Sequence, residues 1–454
     1  MDFQDSATKV GNAVLGFRDP LLVHHYDADG LSAAAIVCFA RASLGKKTRT
    51  FASKPLEAHA IRAFAGEQEL VFVDLGSGRA DLLAELDASV AVIDHHPPAK
   101  SALALHFNPH EHGYDGARDA SASTGAFFCF KHLEKPEIAE LGLVGAVGDM
   151  QDVGGFTGLN AELYDYASQR NWVSTSIELG IAGKSFKPLP ALLADCTQPV
   201  LPGLTGDERA SAQFLTANRF NLSRGSSPLK YPDLEPPERR RLAAALVQHC
   251  LSRSVAEDAV KSLASQAYSF PLEENGTELS DAQDYAALLN ACGRNNSPEL
   301  GINVCLKAPG ALESGRAILR EYLEAVKAGV RYASENWMDA GAFYLVDGRG
   351  VISDKIIGVV ASAFLSSGII PRTKPVLALS SDKGTVKVSA RGTVWLAKKG
   401  LDLGEALRKA GVASDGGGGG HSVAAGGSYP ETREAEAAFL KKAREVIEIQ
   451  LELR

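Results

Sequence analysis

The sequence predicts an α/β protein: a parallel-sheet domain, then a mostly helical middle region, then a smaller α/β domain. Short apolar runs alternate with helix-like segments through the first part, proline-containing breaks separate amphipathic runs in the middle, and a strand and helix pattern returns from Gly341. These three observations, in a chain of 454 residues that exceeds one ordinary core, place the expected divisions at 1–165, 166–335 and 336–454.

In the first part Leu21-Leu22-Val23 runs into His25-Tyr26-Asp27-Ala28-Asp29-Gly30, Val71-Phe72-Val73 into Asp74, and Ala91-Val92-Ile93 into Asp94-His95-His96. Each run has the length of a buried strand, and turn-forming residues follow it. A fourth run, residues 143–148, leads to Asp149 and Asp152 and is read in the same way, as a strand. Residues 31–43 and 80–86 supply intervening helices, the alternation of a parallel sheet covered on both faces. Ligands of such sheets collect beyond the carboxyl ends of the strands, where all these acidic residues fall.

Each piece also has a plain structural reading. Asp27 and Asp29 suit the cap of the helix that follows, Asp74 suits an Asx turn, and His95 and His96 suit buried polar positions. Jointly, Asp-x-Asp, a lone Asp, Asp-His-His and a Gly-Asp, each closing an apolar run, point to a divalent metal centre.

The order and content of these motifs resemble the DHH phosphoesterase superfamily, named for the triplet seen here as Asp94-His95-His96. Lys387-Val388-Ser389-Ala390-Arg391, the glycines 416–420 with His421, and Ala424-Ala425-Gly426-Gly427 are similar to its DHH-associated C-terminal domain. Residues 199–206, 289–294 and 301–306 resemble the archaeal branch of RecJ-like nucleases, including the GINS-associated nuclease. The resemblance implies that Asp27, Asp29, Asp74, His95 and Asp149 are metal ligands, with Asp74 bridging two ions, and adds His25 to that set. It places His96 at the substrate phosphate, as hydrogen-bond donor or as the acid that assists the leaving oxygen. Arg294, in a Gly-Arg-Asn-Asn loop, is a substrate contact by the same resemblance. The implied partner is the GINS complex.

Carboxylates and imidazoles suit Mn²⁺ or Mg²⁺, and two such ions about 3.5–4 Å apart promote in-line hydrolysis of a phosphodiester. No nucleophile elbow or P-loop stands out, so covalent acyl chemistry and ATP-driven motor activity are not expected.

Residues 238–252 and 311–332 read as helices of the middle region, and Glu313, Arg316, Arg320, Glu321 and Lys327 as a solvated helix face. From Gly341, residues 342–346 and 375–379 read as strands with a buried helix, 356–365, between them. Along residues 385–391, Val386, Val388 and Ala390 fall on one face, and Lys387, Ser389 and Arg391 on the other, where they could hold a phosphate. The glycine run suits a flexible linker in isolation; with His421 beside it, and by the family resemblance, Gly418, Gly419 and Gly420 are read instead as an anion-binding nest. The expected substrate cleft has metals on one wall and Arg391 with the glycine loop on the other.

The formal net charge of -8 disfavours a long nonspecific nucleic-acid surface, but residues 371–410 carry nine Lys or Arg against three Asp or Glu, enough for one basic wall. Tyr26, Phe107, Tyr114 and Trp395 suit base stacking, and suit packing better. His106, His110 and His112 are read as groups behind the ligands or beside the substrate. Six scattered cysteines without a Cys-x-x-Cys pair fit a reducing cytosol, and neither a signal peptide nor a membrane span is read, so a cytoplasmic protein is expected. The leading expectation is a single-strand-specific, metal-dependent exonuclease acting on DNA, with RNA as a second polymer, in replication or repair. The alternatives are a phosphoesterase for short oligonucleotides or small nucleotides, and a non-catalytic replisome scaffold.

Overall fold

The computed structural model describes the whole chain except residues 1, 54–55, 57–60, 101–102, 254, 256 and 453–454. The chain forms two compact units: Met1–Phe186 with Ser265–Arg320, and Lys187–Ala264 with Glu321–Arg454. The middle region, expected as one segment, is therefore shared between both.

In the first unit the apolar runs become β1 (Leu21–His24), β2 (Arg49–Ala52), β3 (Glu69–Val73), β4 (Ser89–Ile93) and β5 (Leu105–Phe107). They form a parallel sheet in the order β2-β1-β3-β4-β5. Val71, Phe72, Ala91 and Val92 are fully buried, as expected for strands covered on both faces. The helices that build the site are α1 (Phe3–Gly16), α2 (Ala28–Ala42), α3 (Ala122–Phe130), α4 (Pro136–Gly148) and α5 (Ala282–Arg294). The Arg41 guanidinium, fully buried, ties α2 to the end of α1 by donating to the carbonyls of Val14 (2.6 Å) and Phe17 (2.9 Å).

The fourth run is a correction. Residues 143–148 are not a strand but the last turns of α4, which starts at Pro136 in the position where a missing N–H costs nothing. The buried stretch from Ile138 is too long for a strand, and a short apolar run has no period that separates the two forms. Glycine allows the helix to approach its neighbours: a Cβ on Gly145 would lie 2.1 Å from Ser123 Oγ and 2.4 Å from Asp29 Oδ1.

Within the second unit β6 (Trp337–Asp339), β7 (Tyr344–Asp347), β8 (Val376–Asp382), β9 (Thr385–Arg391), β10 (Gly417–Gly420) and β11 (Ala424–Pro430) form a mixed sheet in the order β6-β7-β8-β9-β11-β10. The opposite faces of β9 meet different helices. One face meets α6 (Ile357–Ser366), where Arg391 Nε donates to Ser362 Oγ at 2.9 Å. On the other, Val386, Val388 and Ala390 enter a core with Leu407 of α7 (Leu403–Ala413) and Phe439 of α8 (Arg433–Gln450).

The glycine run is neither linker nor nest loop but the edge strand β10, paired antiparallel with β11. Its composition follows from steric contact with α7. A Cβ on Gly418 would lie 2.2 Å from the Leu407 carbonyl oxygen, a backbone atom that cannot swing aside, whereas a Cβ on Gly419 meets nothing within 4 Å. The helix face on residues 313–327 is also less solvated than expected. Arg316 Nε lies 2.9 Å from the buried Glu278, and Lys327 Nζ lies 2.7 Å from Asp195.

Two outcomes are expected. Gly418→Ala destabilises the protein by about 1–3 kcal/mol through overpacking, and Gly419→Ala is near neutral; equal denaturation midpoints for the two variants would refute the steric account. Glu140 on α4 is 4 % exposed, and burial, then the nearby charge of Glu273, pushes its carboxyl up to about 9. The folded chain thus keeps a proton that the unfolded chain releases near 4.5, so this group's contribution is full below that pH and falls as pH rises toward 9. Glu140→Gln is expected to flatten stability against pH across that window, measured by denaturant titration.

Candidate metal centre

Strand register brings the motifs to one level. His24, Val73, Ile93 and Phe107 stand side by side as the last residues of β1, β3, β4 and β5. The next residues, His25, Asp74, Asp94 and Asn108, therefore form a row along the carboxyl edge, and the backbone N–H groups of His25 and Asp74 donate to the carbonyls of Val73 and Ile93. Strand order reverses direction between β1 and β3, the position where open α/β sheets leave a crevice. The start of α2 adds Asp27 and Asp29, and the end of α4 adds Asp149.

Asp27 caps α2 by accepting the Gly30 N–H at 3.0 Å, and its other oxygen lies 2.8 Å from His25 Nδ1. The structural and functional readings of this residue are thus compatible. Asp29 is fully buried and accepts the N–H groups of Ala122 (2.7 Å) and Ser123 (2.9 Å), the first turn of α3, whose dipole favours an anion there. Asp74, in a left-handed conformation with φ of 59°, turns Oδ2 toward His25 Nδ1 (3.4 Å) and Oδ1 toward His95 Nε2 (3.2 Å). His95 donates from Nδ1 to the Gly116 carbonyl at 2.6 Å, which aims Nε2 at Asp74, at Asp149 (3.4 Å) and at Asp29 (3.9 Å).

Among the described residues the ligand atoms of His25, Asp27 and Asp74 form one group within 4.8 Å of one another, those of Asp29, His95 and Asp149 form a second, and those of Asp74, Asp94, His95 and His96 form a third that overlaps both. Asp74 has one oxygen toward each of the first two.

Electrostatics show what the assembly costs. Burial and then the Asp74 charge push the Asp29 carboxyl up to about 6, and burial and then Asp29 raise Asp149 well above the usual range. Burial opposes charge on His25, but Asp27 and Asp74 outweigh it and push the imidazole up to about 12; the same contest, won by Asp74 and Asp149, raises His95. Like charges at this distance are tolerable only with protons or cations between them.

Three family models match the chain: the DHH family N-terminal domain over residues 21–146, the DHH-CID domain over 181–264 and the DHHA1 domain over 341–449. The chain belongs to the DHH superfamily. An uncharacterised protein of Methanocaldococcus jannaschii is 27% identical over 450 residues, 95% of this chain and 93% of that one. The structure of RecJ from Thermus thermophilus in complex with Mn²⁺ is similar with a TM-score of 0.58 at 17% identity, covering 98% of this chain and 54% of that chain. CDC45 from Entamoeba histolytica gives 0.65 at 11% identity, covering 97% and 98%. These likenesses show a RecJ-like fold for this DHH protein.

The residues present fit divalent metal. Asp74 Oδ1 is buried and, among the described residues, faces His95 Nε2 without a well-aligned hydrogen bond, a cost that a cation would remove, and the donors are the oxygen and imidazole groups that Mn²⁺ or Mg²⁺ take. His95 Nε2 is pre-aimed by its bond to Gly116, the usual support behind a histidine ligand.

Of the other residues expected from the sequence to contact substrate, His96 has a half-exposed ring whose Nδ1 lies 2.8 Å from Asp94 Oδ1. Arg294 ends α5, beside Gly293, where a Cβ would lie 1.6 Å from the Tyr26 carbonyl oxygen; its helix thus packs on the turn that carries Asp27. Lys387, Ser389, Arg391, Gly418, Gly419, Gly420 and His421 all lie in the second unit, where Lys387 Nζ donates to the Asp354 carbonyl at 2.8 Å.

Several supporting residues had no motif to announce them. Gln151 Nε2 donates to the same Gly116 carbonyl (3.0 Å), and its side-chain oxygen accepts from Asn160 Nδ2 (2.6 Å). Asp94 accepts the N–H groups of His95, His96 and Ser77, so this carboxylate is used in holding its neighbours. The Asp-His-His motif itself was the only available signal for that role.

Mn²⁺ is expected to raise the thermal unfolding temperature. The shift should grow with pH, since metal competes with protons held on Asp29, Asp149 and the histidines. Asp149→Asn is expected to stabilise the protein in chelator, by removing a like charge, and to shrink the Mn²⁺ shift; a full Mn²⁺ shift in that variant would exclude Asp149 as a ligand.

Proposed function

We propose that this protein is a metal-dependent exonuclease that hydrolyses phosphodiester bonds of single-stranded DNA, with RNA as a second polymer substrate. The observation that carries the reading is the placement of Asp74, one oxygen toward His25 and the other, buried, toward His95, so that it faces two ligand groups at once. A scaffold without catalysis has no use for so costly a cluster.

His25, Asp27, Asp29, Asp74, His95 and Asp149 would hold Mn²⁺ or Mg²⁺, two ions in this proposal. When bound, such ions supply Lewis-acid activation of water and of the phosphoryl oxygens. The protein's own residues orient and move protons. Asp94 accepts from His96 Nδ1, which leaves the half-exposed Nε2 edge to donate to a phosphate oxygen or to the leaving oxygen. Asp94 then stabilises the charged ring: its hydrogen bond outweighs the desolvation that opposes it and raises the His96 pKa. Arg294 from α5 is the proposed phosphate contact of the first unit, and Lys387, Ser389, Arg391 and the residues Gly418 to His421 are the proposed contacts of the second. Support comes from solved RecJ proteins of similar fold, one described as an exonuclease bound to manganese. A role in replication or repair with the GINS complex as partner belongs to the same proposal and rests on the archaeal RecJ-like phrases in the sequence.

The test follows products from single-stranded DNA and RNA oligonucleotides, labelled at either end, with Mn²⁺ or Mg²⁺. Stepwise release of mononucleotides from long strands, lost by about 100-fold or more in Asp74→Ala, is the expected result. Cleavage of only the shortest oligomers would replace the reading with a small-substrate phosphoesterase, and no cleavage of any substrate would replace it with a scaffold.

A further inference from the structure

Behind the Asp-His-His triplet lies a chain of polar side chains that no metal ligand needs. Ser77 and Asn108 are fully buried and His106 nearly so, while Glu111 reaches the surface. Their contacts are all of hydrogen-bond length. Asn108 Nδ2 lies 2.8 Å from Ser77 Oγ and 2.8 Å from the His96 carbonyl oxygen. Ser77 Oγ lies 2.8 Å from His106 Nε2, and His106 Nδ1 lies 3.0 Å from Glu111 Oε1. The Ser77 N–H, aimed by Gly76 at a φ of 113°, donates to Asp94 Oδ2 at 2.8 Å.

Donor arithmetic gives this chain a direction. An amide Nδ2 can only donate, so Ser77 Oγ accepts from Asn108; an ionised Glu111 can only accept, so a neutral His106 turns Nδ1–H to it and leaves Nε2 to accept the Ser77 proton. Glu111 thereby fixes the His106 tautomer. Two ends of the chain converge on one residue: Asn108 holds the backbone of His96, and Ser77 holds the carboxylate that orients the His96 ring.

We propose that Glu111, His106, Ser77 and Asn108 form a positioning relay that sets the orientation of His96 toward the substrate phosphate. The proposal rests on the reading of His96 given above. None of the four touches substrate, and all act through Asp94 and the His96 backbone. The arrangement superficially resembles a Ser-His-Glu nucleophile triad, but Ser77 Oγ is fully buried and already accepts from Asn108, so it has no path to a substrate.

The test uses the full chain. In protein labelled with ¹⁵N in its histidines, His106 is expected as the Nδ1–H tautomer, and His96 is expected to show an Nδ1–H hydrogen bond that persists in Ser77→Ala, because the alanine keeps the backbone N–H that holds Asp94. In Mn²⁺-supported cleavage of single-stranded DNA, Ser77→Ala and His106→Asn are expected to lower kcat by about 10–100-fold with KM and the Mn²⁺-induced thermal shift unchanged. His106→Gln, whose side-chain oxygen reaches the Nε2 position and can accept the Ser77 proton, should recover most of the rate. An Nε2–H tautomer at His106, or equal losses in His106→Asn and His106→Gln, would overturn the relay. So would loss of the thermal shift in step with kcat, which marks a merely structural role. Wild-type spectra as expected, with no cleavage of any nucleic acid, would leave the relay standing and remove the nuclease reading instead.

Discussion

The constraint on which the first unit depends is the crowding of carboxylates at one sheet edge. Asp27, Asp29, Asp74, Asp94 and Asp149 come from segments far apart along the chain and would repel one another wherever they met in a low-dielectric setting. The fold meets this repulsion with fixed local partners. Two of the carboxylates sit at helix N-termini, where α2 and α3 supply unpaired N–H groups. Asp94 is satisfied by three backbone N–H groups and His96. Asp74 keeps a buried oxygen without a hydrogen-bond partner among the described residues, and the two histidines that face it carry raised pKa values in answer. A cluster so expensive in the absence of cations is coherent as a cation site.

Close packing of helices onto that edge is the second requirement, and glycine meets it. Gly145 lets α4 pass Ser123 and Asp29 at a distance that excludes any side chain, and Gly116 stands so close to the His95 carbonyl oxygen that a Cβ would lie 1.8 Å away. These positions carry no chemistry of their own, yet they decide whether His95, Asp29 and Asp149 share one site. The DHHA1 domain uses the same device for a different end, with β10 pressed against α7 so tightly that only glycine fits at Gly418.

Much of this was legible in the residues. The apolar runs of β1, β3 and β4 have strand length, the residues that follow them fall on one edge because the strands are parallel, and carboxylates with imidazoles are residue types that suit hard divalent cations. Strands and helix from Gly341 onward were readable from alternation, as was the division of β9 into an apolar and a polar face. What failed did so for stated reasons. The run before Asp149 has the composition of a strand and of a buried helix equally, and length together with Pro136 decided for the helix. Glycines 416–420 carry no side chain to pattern, so only the neighbouring helix could reveal them as a strand. Arg316 and Lys327 follow the spacing of a solvated face but find carboxylates on other elements.

The sequence by itself determined which residues of a chemistry suited to divalent metal follow the strands, because that depends on residue type and on local periodicity. Tertiary structure alone decided the rest. That Asp74 divides its oxygens between two groups, that Gly116 rather than a side chain fixes the His95 tautomer, and that Ser77, His106 and Asn108 stand behind His96 are consequences of strand register together with the packing of the loops that follow the strands. Register brings together atoms tens of residues apart, and no local pattern records it.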